Sequence, residues 1–400
     1  MKLDKVISRV LIFFYLSIPY FPLFGEIDRI ASQWAFFSGL NFLSLIFIYF
    51  RYEKKDFQIV LFKPVIFYLF FIIFCIISIT KSVNITESFV EFFRYFSVFL
   101  ALIALPLLAS KFNNKSFLIS LLIFFSIVDI AGIFLQLNYN LPLIGFTGNK
   151  NIASASILLK SNAIIFLLYK YKNLYVKLFS FLFSCFVFSV VLLIGSKAGI
   201  LTAIIIILLL TIVSFFKRPI FLSNFIVVGA FLTSIGISFL FNDNFKNAIN
   251  DTVNYTNDAG STDRLRYYSQ AFQTFKENPF FGIGLGNWKI YSSKYDSIDM
   301  KDYIVQYHTH NDYLQLLAEI GIFGALLYFL FIIYFFWIIY INLKKISPQE
   351  NIEQLIVYKI VLLCIIVYFI DSNLNFPAAR VVMQLNLASI LAIILNIKRE

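Results

Sequence analysis

The sequence predicts an all-α, polytopic integral membrane protein, and three observations carry that prediction. Apolar residues make up 60% of the 400-residue chain and charged residues 14%, against roughly 45–50% and about 25% in soluble domains. About twelve stretches stay apolar over the roughly 20 residues that a helix needs to cross a bilayer. One long hydrophilic stretch, 242–311, interrupts them and contains both histidines. A water-soluble globule of this length has too little interior to hide so much apolar surface, 51 phenylalanines included.

The first stretch, 6–24, follows Lys2 and Lys5 and is broken by Arg9, Pro19 and Pro22. No small-residue cleavage site follows, so it reads as a retained membrane helix rather than a signal peptide. Eight more stretches follow at 31–50, 60–80, 88–109, 116–135, 152–169, 175–195, 198–216 and 220–241. Three close the chain at 313–340, 355–372 and 380–397. The 313–340 stretch is longer than one crossing requires, and Gly321 and Gly324 stand where a partly exposed helix would pass into the membrane. The expected organisation is therefore 1–241 with nine spans, 242–311 as one large hydrophilic segment, and 312–400 with three spans.

Orientation follows from the basic residues, which cytoplasmic loops retain. With the N-terminus inside, the inner loops are RYEKKD (51–56), SKFNNK (110–115), KYKNLYVK (170–177), KR (217–218) and NLKKISPQE (342–350), with KRE at the end. Every one is basic, both termini fall in the cytoplasm, and 242–311 lies outside. The net charge of +11 is then a topology signal and not a nucleic-acid footprint. Cys75, Cys185 and Cys364 sit in apolar runs with no CxxC pair and read as packing residues.

Chemistry is expected in the outer segment. In HTHNDYLQLLAEIG (308–321), a helix starting near His310 puts Asn311, Gln315 and Glu319 on one stripe at four-residue steps. A polar stripe entering an apolar span is costly unless it faces a cavity or partners. His310 would sit at the mouth of that cavity, where an imidazole of pKa about 6.5 can take a proton from a hydroxyl; the alternative is that His308 and His310 only mark a helix start at the membrane surface. His-x-His has no third ligand at a metal-site spacing, so neither a metal nor another cofactor is expected.

In GSTDRLRYYSQAF (260–272), Arg264 and Tyr268 are four apart, whereas Arg264 and Arg266 point to different sides. A guanidinium suits a diphosphate because its planar fork makes two bonds to one phosphate group; arginines at lipid headgroups or in water are the competing reading. Lys197 is the sole charge of the short outer hairpin GSKAG (195–199), either facing an anionic ligand or snorkelling. Lys160 lies mid-span with no local acidic residue, so it lines a polar cavity or pairs with another helix. Glu91 and Arg94, three apart, are placed to pair with each other. The glycines of FGIGLGNW (281–288) do not have GxGxxG spacing and indicate a tight loop.

Taken in order, GSKAG, the S-x-x-R-x-x-x-Y of STDRLRYY (261–268), NPFFGIGLGNW (278–288) and HNDYLQLLAEIGIFGALLYF (310–329) resemble the O-antigen ligase family over about 195–330. The resemblance implies a GT-C-like glycosyltransferase of the bacterial inner membrane with its active site on the periplasmic side. It would take a glycan from undecaprenyl diphosphate and join it to a hydroxyl on lipid A-core or on another glycan. It implies His310 as general base and Arg264 and Lys197 at the diphosphate, with lysine standing where many members have arginine. Arg266 is a further diphosphate candidate, and His308, Asn311, Gln315, Glu319 and Lys160 are candidate lining residues. A polymerase using the same donor is the alternative within the enzyme class. A transporter or flippase is the alternative outside it, disfavoured by the lack of a repeat between the halves and by the size of the outer segment.

Overall fold

The computed structural model describes residues 2–21, 29–53, 63–112, 114–216, 221–241, 259–299, 306–346 and 351–397. Among these there is no β-strand. The helices are α1 (Lys2–Ser17), α2 (Arg29–Arg51), α3 (Lys63–Ile79), α4 (Ile85–Ser110), α5 (Lys115–Asn138), α6 (Lys150–Ser161), α7 (Ile164–Lys170), α8 (Leu174–Ile194), α9 (Lys197–Phe216) and α10 (Phe221–Phe241). They continue with α11 (Ala259–Glu277), α12 (Trp288–Asp299), α13 (Asp312–Lys345), α14 (Ile352–Leu374) and α15 (Val381–Ile397). Asparagines start several of them: the side chains of Asn84, Asn149, Asn173, Asn311 and Asn351 each accept a hydrogen bond from a first-turn backbone N–H.

Each of the twelve apolar stretches holds a helix among its described residues, 152–169 as the pair α6 and α7. By length and composition, seven helical stretches among the described residues can each cross a membrane, α6 and α7 counting together as one; α3, α9, α10 and α15 contain shorter apolar helices. The chain is a multi-pass membrane protein whose described residues form helices and no strands.

Its core is built on α15, which is buried on every side from Val381 to Leu395 and lies along α4 while touching α1, α2, α5, α6 and α14. Burial on every side makes it the inner helix, and its polar Gln384, Asn386 and Ser389 are thereby kept away from lipid. Outward-facing Phe42 and Phe50 of α2, Phe93 of α4 and Leu182 and Phe186 of α8 remain exposed, a surface for lipid rather than water. Apolar contact between helices gains little over contact with lipid, so buried polar bonds help select the packing. Tyr15 Oη donates to Asn41 Oδ1 (2.9 Å), Asn41 Nδ2 donates to the Ser97 carbonyl (2.9 Å), and Gln384 Nε2 donates to Tyr368 Oη (2.9 Å).

The two ends of the bundle differ. At one end the basic loops gather: Arg51 faces Asp4 at 3.4 Å, Lys111 Nζ donates to the Arg51 carbonyl, and Lys115 pairs with Glu353 at 3.2 Å. At the other end the turns following α3 and α5 meet the segments around 280, 310 and 375. Of the 242–311 segment, 242–258 and 300–305 lie outside the described residues; α11 and α12 pack against α13.

Candidate functional site

The site begins with a break in α13. Gly321 has φ 72° and ψ −175°, so the helical hydrogen bonds across it are lost and the carbonyls of Ala318 and Glu319 need other donors. The glycine loop supplies them: Ile283 N donates to Ala318 O (3.1 Å) and Gly284 N to Glu319 O (2.9 Å), while Ile322 N donates to Pro279 O (2.9 Å). The backbones approach so closely that a Cβ on Gly282 (φ 67°) would run into the Glu319 carbonyl, and one on Gly321 into that of Phe280. Both positions need glycine for conformation and for space.

Glu319 locks the same loop with its side chain. Its carboxylate accepts from Gly286 N (2.9 Å), Trp288 N (3.2 Å) and Gln315 Nε2 (3.2 Å). On the loop's far side, Asn287 bridges to α4: its Oδ1 accepts from Asn84 N (2.8 Å) and its Nδ2 donates to Ser88 Oγ (2.8 Å). The expected tight loop is thus a clamp joining α4 to α13.

The chain enters α13 through 306–311. Asn311 caps the helix by accepting from Leu314 N (3.0 Å), and its Nδ2 donates to Asn373 O (3.2 Å). Thr309 Oγ1 donates to Asn311 O (2.7 Å), and Gln315 Oε1 accepts from Thr309 N (3.3 Å). His310 between them has φ 59°, a left-handed conformation that costs a non-glycine residue free energy and is retained where the surroundings fix it. Here Tyr268 Oη donates to His310 O (3.1 Å), so the Tyr268 that lies four residues after Arg264 secures the backbone of the histidine.

His308 and His310 share Phe376: His308 stacks on it at 4.3 Å and His310 meets it edge-on at 5.1 Å. Nδ1 of His310 is shielded from solvent and has no hydrogen-bond partner among the described residues. Burial and the charge of Arg264 push the His310 pKa down to about 4; burial, with Arg380 next, pushes that of His308 down to about 3. Both imidazoles are therefore neutral at pH 7 and able to accept a proton.

A cavity of about 530 Å³ opens beside them. His308, His310, Gln315 and Glu319 line it, whereas Asn311, engaged as the helix cap, does not; Glu91 and Arg94 line it too, paired with each other at 2.9 Å. It also draws in Glu87, Lys289 and Arg380, which sequence reasoning missed. Lys289 pairs with Glu87 at 2.5 Å, and the Arg380 guanidinium lies over Phe376 at 5.1 Å. Among the described residues no group of three His, Cys, Asp or Glu side chains could hold a metal ion.

The remaining candidates lie elsewhere. Arg264 is absent from the cavity wall but within electrostatic reach of His310 and Asp371. Arg266 turns the other way, over the Tyr267 ring at 5.2 Å and beside Asp263 at 3.6 Å, into a separate groove with Glu277 and Lys294. Lys197 opens α9 directly after Ser196, whose Oγ donates to Asn151 Oδ1 (2.7 Å); Asn151 Nδ2 donates to Asn375 Oδ1 (3.0 Å), and Asn375 Nδ2 to Asp371 Oδ1 (2.6 Å). That relay ties the hairpin to the residue beside Arg264. Lys160 is not at the cavity: it is buried against Asp129 of α5, with its Nζ donating to Tyr20 Oη (3.0 Å). A partner on another helix, the second of its two readings, is what the fold supplies.

Compared with known proteins, residues 178–329 match the family model described as O-antigen ligase. The matched stretch runs from α8 through the Gly321 break and includes Lys197, Arg264, the glycine clamp, both histidines and Glu319. No curated protein matches the chain.

Proposed function

We propose that this chain, whose residues 178–329 match the O-antigen ligase model, is a membrane glycosyltransferase that moves a glycan from undecaprenyl diphosphate onto an acceptor hydroxyl. The single observation that carries this reading is His310: neutral, held in a strained backbone conformation, and lining a cavity within electrostatic reach of Arg264.

In this proposal the chain crosses the bacterial inner membrane about twelve times, with both termini cytoplasmic and the His310 end of the bundle periplasmic. Arg264 and Lys197 receive the donor's diphosphate. Cleavage of the glycosyl–diphosphate bond leaves negative charge on the departing phosphate, and fixed cations there lower the barrier without a metal. His310 takes the acceptor's proton as its oxygen attacks from the opposite face, which inverts the sugar carbon. Arg264 connects the two halves of the reaction. Its charge depresses His310 in the free protein; a bound diphosphate offsets that charge, so the imidazole becomes a stronger base once the donor is in place.

The test is transfer by the purified protein from an undecaprenyl-diphosphate-linked oligosaccharide to candidate acceptors. Glycan on the acceptor together with released undecaprenyl diphosphate supports the reading, and an intact donor with every acceptor contradicts it. Loss of the protein separates ligase from polymerase: long chains left on the carrier lipid indicate a ligase, and single repeats a polymerase.

A further inference from the structure

The cavity beside His310 has a charge pattern that differs from a phosphate site. Among its described lining residues three are acidic, Glu87, Glu91 and Glu319, and three are basic, Arg94, Lys289 and Arg380. Two of the cations are closed onto carboxylates, Arg94 on Glu91 at 2.9 Å and Lys289 on Glu87 at 2.5 Å. The third lies on the Phe376 ring, and the third carboxylate is occupied by the Gly286 and Trp288 N–H groups. Arg264, the cation nearest His310 by its effect, stands outside this wall.

We propose that this cavity is the acceptor subsite, and that it selects a neutral, hydroxyl-rich saccharide end over a phosphorylated one, with the Glu87–Lys289 and Glu91–Arg94 pairs as its specificity determinants. The proposal rests on the glycan-transfer reading above and deepens it. A phosphate entering the cavity would lie beside two carboxylates and have to draw cations away from them, gaining charge–charge attraction on one side and losing it on the other. A sugar hydroxyl both donates and accepts. It can donate to Glu87 or Glu91 while accepting from Arg94 or Lys289, leaving the pairs closed. Gln315 and Asn149 on the same wall add amides that do both. The volume is within the roughly 300–1,000 Å³ of small-molecule sites. His310 lines this cavity while responding to Arg264 outside it, which is the position of a base between an acceptor and an anionic leaving group.

The experiment uses the full chain in lipid nanodiscs and two readouts. The first is equilibrium binding of neutral gluco-, galacto- and manno-configured trisaccharides and of the same compounds carrying a 6-phosphate. The second is transfer to these compounds from the undecaprenyl-diphosphate-linked donor. We expect at least one neutral trisaccharide to bind with Kd near or below about 1 mM, at least about tenfold tighter than its phosphorylated form. Glu91→Gln or Glu87→Gln should weaken that binding about tenfold and narrow the gap, because each leaves a cation without its carboxylate. The proposal is overturned if a phosphorylated compound binds as tightly or more tightly, if no neutral compound binds, or if both variants, shown folded by thermal unfolding, bind like the wild type. Expected binding without any donor turnover defeats the transfer reading and keeps the saccharide site. Transfer that prefers phosphorylated acceptors does the reverse.

Discussion

Removing the Glu319 carboxylate should release the glycine clamp, and the structure sets the size of the effect. Glu319 is 2% exposed and its carboxylate accepts from two backbone donors, Gly286 N at 2.9 Å and Trp288 N at 3.2 Å. In Glu319→Ala those N–H groups keep their burial and lose their acceptor, at about 1–3 kcal/mol each. The sum is about 2–6 kcal/mol, with the lower half favoured if the loop moves to reach water. Glu319→Gln retains one oxygen and turns an NH₂ toward the other donor, so it should cost about half as much. Alanine's helix propensity adds no loss of its own. The assay is amide hydrogen exchange over 283–288 with thermal unfolding of the purified protein. Exchange in that loop should rise far more than in α14 or α15, and Tm should fall in the order wild type, Gln, Ala. Unchanged protection of Gly286 and Trp288 in a folded Glu319→Ala protein would refute the clamp.

Other outcomes follow from the same geometry. Gly282→Ala should lower Tm because it combines a left-handed φ of 67° with a Cβ directed at the Glu319 backbone, a loss of at least about 1–2 kcal/mol; Gly236→Ala, where a Cβ meets nothing within 4 Å, should leave Tm unchanged or raise it. The His310 pKa of about 4 puts the acid limb of kcat/KM near pH 4 instead of 6.5. Activity is present above that pH, where the imidazole is neutral, and lost as protonation sets in below it; Arg264→Gln should move the limb upward. The limb of kcat, which reports the donor-bound state, should lie higher than that of kcat/KM. Lys160→Met strands a buried Asp129 and should destabilise by about 3–5 kcal/mol, most of it recovered in Lys160→Met with Asp129→Leu, as thermal unfolding would show.

Much of the fold was legible because membrane helices are specified locally, by length and apolarity. The break between α6 and α7 was not, since no Gly or Pro marks it; the sequence there offers only Ser161 and Asn162, and Ser161 Oγ donates back to the Leu158 carbonyl. The stripe Asn311, Gln315 and Glu319 was readable for a similar reason, as one helix start fixes the directions of Gln315 and Glu319, although Asn311 is spent on the cap and His310 precedes the helix at φ 59°. Its neighbours were not. Arg380, Lys289 and Glu87 reach the cavity from separate segments, and periodicity carries no information about side chains 200 residues apart. Glu91 and Arg94 were legible as a pair, but only the fold sets that pair against the histidines. The positive φ of Gly321 was hidden too: its place in the long α13 stretch was visible, whereas the bonds that replace the broken helix come from 279–284.

The central claim is that His310 removes the acceptor's proton while Arg264 and Lys197 hold the departing diphosphate. Its most direct measurement is the single-turnover rate of glycan transfer from the undecaprenyl-diphosphate-linked donor by folded His310→Ala protein. The account predicts a rate lower by about a hundred- to ten-thousand-fold, with donor binding retained; transfer at the wild-type rate would contradict it.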